Sequence, residues 1–115
     1  MKIYIGHSRE FDFKKELYKP LRKLDHEFVF PHDNNHEPAN TPELLKTYDL
    51  MIAEVSFPST GLGIELGWAD LLNVPTIFIY KKGSKISGSL KVMKGKFIEY
   101  INEEDLVEKL KEKIN

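Results

Sequence analysis

Residues 50–80 read LMIAEVSFPSTGLGIELGWADLLNVPTIFIY, and the order of their parts decides the fold. Residues 50–55 form a near-continuous apolar run of the kind found in strands buried on both faces. A loop follows that carries a proline and two glycines, Gly61 and Gly63. The segment IELGWADLL then reads as a helix, with Asn73 as its expected stop, and residues 76–80 are again a strand-length apolar run. Strand, helix and strand in this order predict a βαβ unit with parallel strands.

The same alternation extends in both directions. Ile3, Tyr4 and Ile5 form a β-rich run expected to stop at Gly6. Phe13, Leu17, Leu21 and Leu24 recur at helical spacing, and Pro20 inside that pattern predicts a kink or break. Phe28, Val29 and Phe30 form another strand, closed by Pro31, and residues 32–40 (HDNNHEPAN) make a polar loop. Thr41 and Pro42 have the chemistry of an N-cap and a first helical position, so a short helix opens there. After a lysine- and glycine-rich stretch, residues 97–100 give a fifth strand, and Leu106, Leu110 and Ile114 lie on a closing helix. The expectation is one α/β domain over residues 1–115. It is a small doubly wound (Rossmann/flavodoxin-like) sandwich with a mostly parallel sheet of about five strands. Such sheets take ligands at the carboxyl ends of their strands, where the strand order reverses. The loops at residues 6–10, 31–40, 56–63 and 81–90 are therefore where function is expected.

Composition narrows the chemistry. The 115 residues carry 17 basic and 18 acidic side chains for a net charge of -1, so bulk charge gives no reason to expect a nucleic-acid partner. The absence of cysteine excludes disulfides, thiolate metal sites and a cysteine nucleophile. Apolar runs are strand-length and the N-terminus turns polar after five residues, so neither a membrane span nor a signal peptide is expected. The expectation is a soluble cytoplasmic protein without a membrane partner.

Gly61 and Gly63 before a helix could let backbone N–H groups cradle an anion, or could serve only a tight turn. Glu65, one turn inside that helix, could be a nucleophile or a general base. A surface acid favoured by the helix dipole fits its spacing equally well. His32, Asp33, His36 and Glu37 match no established ligand spacing, so no metal is expected, and no cofactor is called for. The six lysines between residues 81 and 96 read as a solvated face. A receiver domain would need an acidic pair after the first strand, where this chain has Gly6, His7 and Ser8.

IYIGHSR, AEVSFPSTGLGIELGWA and KISGSLKVMKG together resemble the nucleoside 2-deoxyribosyltransferase family, most closely its 2'-deoxynucleoside 5'-phosphate N-hydrolase branch. The resemblance runs in order along nearly the whole chain, apart from a shorter, divergent loop before Thr41. It implies the same small doubly wound fold. It implies that Glu65 is the nucleophile that attacks the anomeric carbon of a deoxyribose 5'-monophosphate, giving a glycosyl–glutamate ester. Water or a second base then resolves that ester. By the same resemblance Tyr4 contacts the sugar and the carboxylate, and Ser8 and Arg9 belong to the substrate-binding first loop. Ser59 stands where nucleoside transferases carry an aspartate and the hydrolase branch a phosphate-binding serine; Gly61 and Gly63 follow it. Ser89 resembles a serine that reaches the phosphate from a neighbouring subunit, which implies a homodimer. Thr41 stands where the family has an aspartate that helps to protonate the leaving base. Glu43, Asp33, His36 and His32 are the nearby substitutes. That departure motivates a second reading, a noncatalytic nucleotide-binding domain of the same fold. A third comes from a likeness of IYIGHSRE and IELGWA to Toll/interleukin receptor domains, some of which cleave NAD with a glutamate.

Overall fold

The computed structural model describes residues 1–33 and 41–114. Five strands form one sheet: β1 (Lys2–His7), β2 (Glu27–Val29), β3 (Leu50–Glu54), β4 (Thr76–Lys81) and β5 (Lys96–Tyr100). Every neighbouring pair is parallel and the order is β2-β1-β3-β4-β5. The doubly wound α/β fold expected from the alternation is thus the observed one. The chain leaves β1 toward β2 on one side and returns to β3 on the other, so the order reverses between β1 and β3. Their carboxyl ends lie side by side there, with Gly6 opposite Ala53 and His7 opposite Glu54.

The period of two along the strands sorts side chains between two layers. Ile3, Ile5, Ile52, Ile79 and Tyr100 face α1 (Lys19–Leu21) and α4 (Glu103–Ile114). Tyr4, Met51, Ala53 and Phe78 lie on the other face, with Leu45 of α2 (Pro42–Leu45) and Leu62, Leu66 and Ala69 of α3 (Thr60–Leu71). The sheet is covered on both sides, as parallel strands require. Among the described residues no helix is long and apolar enough to cross a membrane.

Three local expectations are corrected. β1 does not stop at Gly6 but continues to His7. A Cβ there would sit 2.6 Å from Met51 Cε of β3 and 2.9 Å from Leu62 Cδ1 of α3, so a larger residue would push those side-chain ends aside. Pro20 does not break its helix; a π-helical turn at Lys14–Tyr18 is followed directly by α1. Proline lacks an N–H, and just before it the turn is the wider π type, closed by Lys19 N–H on the Lys14 carbonyl. Gly61 and Gly63 do not precede α3 but lie in its first turns. The side-chain oxygen of Ser59 accepts from Leu62 N–H at 3.4 Å and its carbonyl accepts from Gly63 N–H at 3.0 Å, so the helix begins at Thr60. Its end is as the sequence suggests. Asn73 takes a positive φ of 58°, and the N–H groups of Asn73 and Val74 close back on the carbonyls of Asp70 and Ala69.

Candidate active site

A cleft of about 680 Å³ opens at the strand-order reversal. Its floor is the end of β1, one wall is the first two turns of α3, and the other is built by the loops after β1 and β2. Tyr4, Ser8, Arg9, Ser59, Gly61 and Glu65 all line it, so six of the residues singled out from sequence meet in one place.

Tyr4 and Glu65 are its chemical centre. The Tyr4 hydroxyl donates to Glu65 Oε2 at 2.6 Å. Burial first, and then the Glu65 charge, push the Tyr4 pKa well above the usual phenol range, so the hydroxyl remains a donor at every ordinary pH. Tyr4 stacks on Tyr48 with ring centroids 5.3 Å apart and planes 13° apart. Tyr48 is also raised, by burial and then by Glu65. The half-buried Glu65 carboxyl is thus held by the Tyr4 hydroxyl while it remains at the cleft surface.

Nearly two turns before Glu65, Ser59 caps α3. The first N–H groups of a helix have no intrahelical acceptor, and the Ser59 cap takes that of Leu62. Ser8, 2% exposed, accepts Glu10 N–H on its side-chain oxygen at 3.0 Å, which folds the loop after β1 back on itself. Arg9 Nη2 donates to His32 Nδ1 at 3.1 Å.

Two other residues singled out from sequence lie outside the cleft: Gly63 and Ser89 line a neighbouring cavity of about 480 Å³ that shares Pro58, Ser59, Thr60 and Leu62 with it, beside the 3₁₀ turn Gly88–Val92. Thr41 caps α2, with its Oγ1 accepting from Leu44 N–H at 3.2 Å. Asp49, at the start of β3, accepts from the backbone N–H of Lys2 at 2.8 Å. His36 and Glu37 lie outside the described residues, and among the described residues no three His, Cys, Asp or Glu side chains gather in a metal-binding group.

The sequence reading missed Tyr48, His7 and Tyr18. Tyr48 follows α2 in sequence and only the fold brings it onto Tyr4. His7 was read as part of a loop, but it is the last residue of β1, 7% exposed, with burial holding its pKa at about 4. Trp68 is half-buried and also lines the cleft.

No protein-family model matches the chain. A curated protein of Syntrophotalea carbinolica, "Putative 2'-deoxynucleoside 5'-phosphate N-hydrolase 1", is 39% identical over 41 residues, 36% of this chain and 29% of that protein. The match therefore spans less than a third of that relative's length. Among solved structures, a CMP N-glycosidase of Clostridium botulinum, BcmB, superposes with a TM-score of 0.74 at 20% identity, over 99% of this chain and 100% of the other. A conserved protein from Enterococcus faecalis superposes with a TM-score of 0.69 at 18% identity, covering 99% of each chain. In fold over its whole length, and in sequence over part of it, the chain resembles the nucleoside 2-deoxyribosyltransferase-like proteins.

Proposed function

We propose that the protein cleaves the N-glycosidic bond of 2'-deoxynucleoside 5'-monophosphates, with Glu65 as nucleophile. The observation that carries this is the Tyr4–Glu65 hydrogen bond inside a cleft that also holds the capped start of α3. Glu65 attacks C1' of the sugar, the bond from C1' to the base nitrogen breaks, and its electron pair leaves with the base. Water then cleaves the glycosyl–glutamate ester, or a second base takes the sugar. A carboxylate close to an oxocarbenium-like transition state is the arrangement of retaining glycosidases. The Tyr4 hydroxyl holds Oε2, which orients the carboxylate for attack. Ser59 and the first N–H groups of α3 suit a 5'-phosphate, which an aspartate at position 59 would repel. The names of the S. carbinolica relative and of the C. botulinum structure, each an N-glycosidase acting on a nucleoside monophosphate, support the same bond and the same phosphate. Ser89 lies outside the cleft of its own chain, and we propose that it completes the cleft of a second copy in a homodimer.

One observation favours the noncatalytic alternative. Thr41 is engaged as a helix cap and its hydroxyl is too weak an acid to protonate a leaving base. A panel assay separates the readings: each deoxynucleoside 5'-monophosphate, the matching ribonucleotides and nucleosides, and NAD, scored for free base with Glu65→Gln beside it. Base released from deoxynucleoside monophosphates and lost in the variant is the expected result. Release from NAD alone moves the protein to the Toll/interleukin receptor-like reading. Binding without release from any substrate makes it a binding domain.

A further inference from the structure

The loops after β1 and β2, which form one wall of the cleft, are joined by a hydrogen-bonded circuit through His7 and Tyr18. His7 Nδ1 lies 2.7 Å from the Ser8 carbonyl. A carbonyl only accepts, so Nδ1 carries the ring proton. Nε2 of the neutral ring is then an acceptor, and it takes the Tyr18 hydroxyl proton at 2.5 Å. The Tyr18 oxygen accepts in turn from the backbone N–H of His32 at 3.2 Å. The circuit returns over the surface, where Arg9 Nη2 donates to His32 Nδ1 at 3.1 Å, and Arg9 adjoins Ser8.

The surroundings preserve this arrangement. Phe13 lies 4.5 Å from the His7 ring and 5.3 Å from the Tyr18 ring, and Phe11 meets His7 edge-on at 6.1 Å. Tyr18 is fully buried. Burial keeps His7 neutral at ordinary pH, and the charged or titratable side chains His32 and Arg9 disfavour its protonation further. With both ring nitrogens engaged, His7 acts on the loops that flank it.

We propose that His7, acting through Tyr18, is a positioning residue of the cleft: it fixes the β1 loop bearing Ser8 and Arg9 against the β2 loop bearing His32. Its effect on substrate rests on the reading of Ser8 and Arg9 as nucleotide-binding residues. Geometry alone carries the circuit itself.

Tyr18→Phe keeps the ring and removes only the hydroxyl, and His7→Phe puts a somewhat larger ring without polar atoms into the same aromatic surroundings. Each is expected to raise KM for a deoxynucleoside 5'-monophosphate roughly 3- to 10-fold, the value of one hydrogen bond, with kcat within about twofold. The double variant is expected to be no worse than the worse single one, because both break one circuit. An unchanged KM in both, or full additivity, overturns the proposal. Nitrogen-15 NMR of the full-length protein at neutral pH gives a readout that needs no substrate. It is expected to show His7 protonated at Nδ1 and bare at Nε2. In Tyr18→Phe the Ser8, Arg9 and His32 amide signals are expected to move while those of β4 and β5 stay. An imidazolium, the opposite tautomer, or unmoved loop amides overturns the proposal. If wild-type protein turns over no nucleotide, the functional reading falls, and the NMR result alone decides the positioning role.

Discussion

A phenol 2.6 Å from a carboxylate oxygen does two things at once: it holds the carboxylate's orientation and draws on its electron density. In the proposed reaction orientation matters more, because the attacking oxygen must meet C1' in line with the departing base. Tyr4→Phe keeps the stack on Tyr48 and removes only the hydroxyl. It is expected to lower kcat about 10- to 100-fold with a smaller change in KM, measured in steady-state assays on the substrate found in the panel. His7 makes a second residue-scale statement, about stability. Burial lowers its folded pKa from 6.5 to about 4, so the unfolded chain binds the proton more tightly. Its contribution is therefore fully present above about pH 6.5 and is lost as pH falls toward 4, by roughly 2–3 kcal/mol. Glu54 works in the opposite sense. It is 1% exposed and accepts from Ser56 N–H, Ser56 Oγ–H and the Tyr100 hydroxyl, yet burial still raises its pKa. The folded state therefore keeps the Glu54 proton longer, and stability falls as pH rises from the unfolded carboxyl value toward the raised one. Urea midpoints from pH 4 to 6.5 are expected to climb in wild type and to climb less in His7→Phe.

At the scale of elements, two glycines set how closely neighbours approach, and they differ in kind. Gly95, just before β5, has a φ of 139°, and a Cβ there would lie 2.5 Å from the Thr76 carbonyl oxygen and 2.8 Å from the Phe78 ring. Backbone cannot step aside as a side-chain tip can. Gly95→Ala is expected to cost about 2–4 kcal/mol by denaturant titration, without changing activity per folded molecule. A Cβ at Gly6 meets the side-chain ends of Met51 and Leu62 and lies 3.6 Å from Glu65 Oε1, so alanine there costs less stability but crowds Glu65. Glu65 lies one turn beyond Leu62 on α3, so activity is expected to fall more than stability. This contrast also shows what was legible in the sequence. Strands and helices could be read from local periodicity, and Asn73 from its tolerance of positive φ. Gly6 was misread as a stop because the side chains that crowd it, Met51, Leu62 and Glu65, lie more than forty residues away in sequence. Gly61 and Gly63 were misread as loop because their poor helix propensity is overridden by the Ser59 cap.

For the whole molecule, the order β2-β1-β3-β4-β5 explains why six candidates scattered between positions 4 and 65 converge, while Ser89 does not. Those six lie on β1, on the loop after it and on the start of α3, all at the reversal between β1 and β3. Ser89 belongs to the β4–β5 connection and lines the neighbouring cavity rather than the cleft. Tyr48, Tyr18 and His7 could not be singled out from sequence, because their roles exist only once distant elements are packed. In the proposed homodimer Ser89 serves the phosphate across a two-fold axis, which lets the shared site be tested by mixing. Ser89→Asp places a negative charge where the neighbour's phosphate would sit, so that variant alone should lose monophosphate cleavage. Glu65→Gln alone should be inactive through its own carboxyl. After unfolding and co-refolding in equal amounts, half of random dimers are heterodimers, each with one intact Glu65 facing one intact Ser89. About a quarter of the wild-type sites should then be active, with wild-type KM. Activity that stays at the level of the separate variants, or a mass in solution of one chain, removes Ser89 from the site and leaves the cleft complete within a single copy.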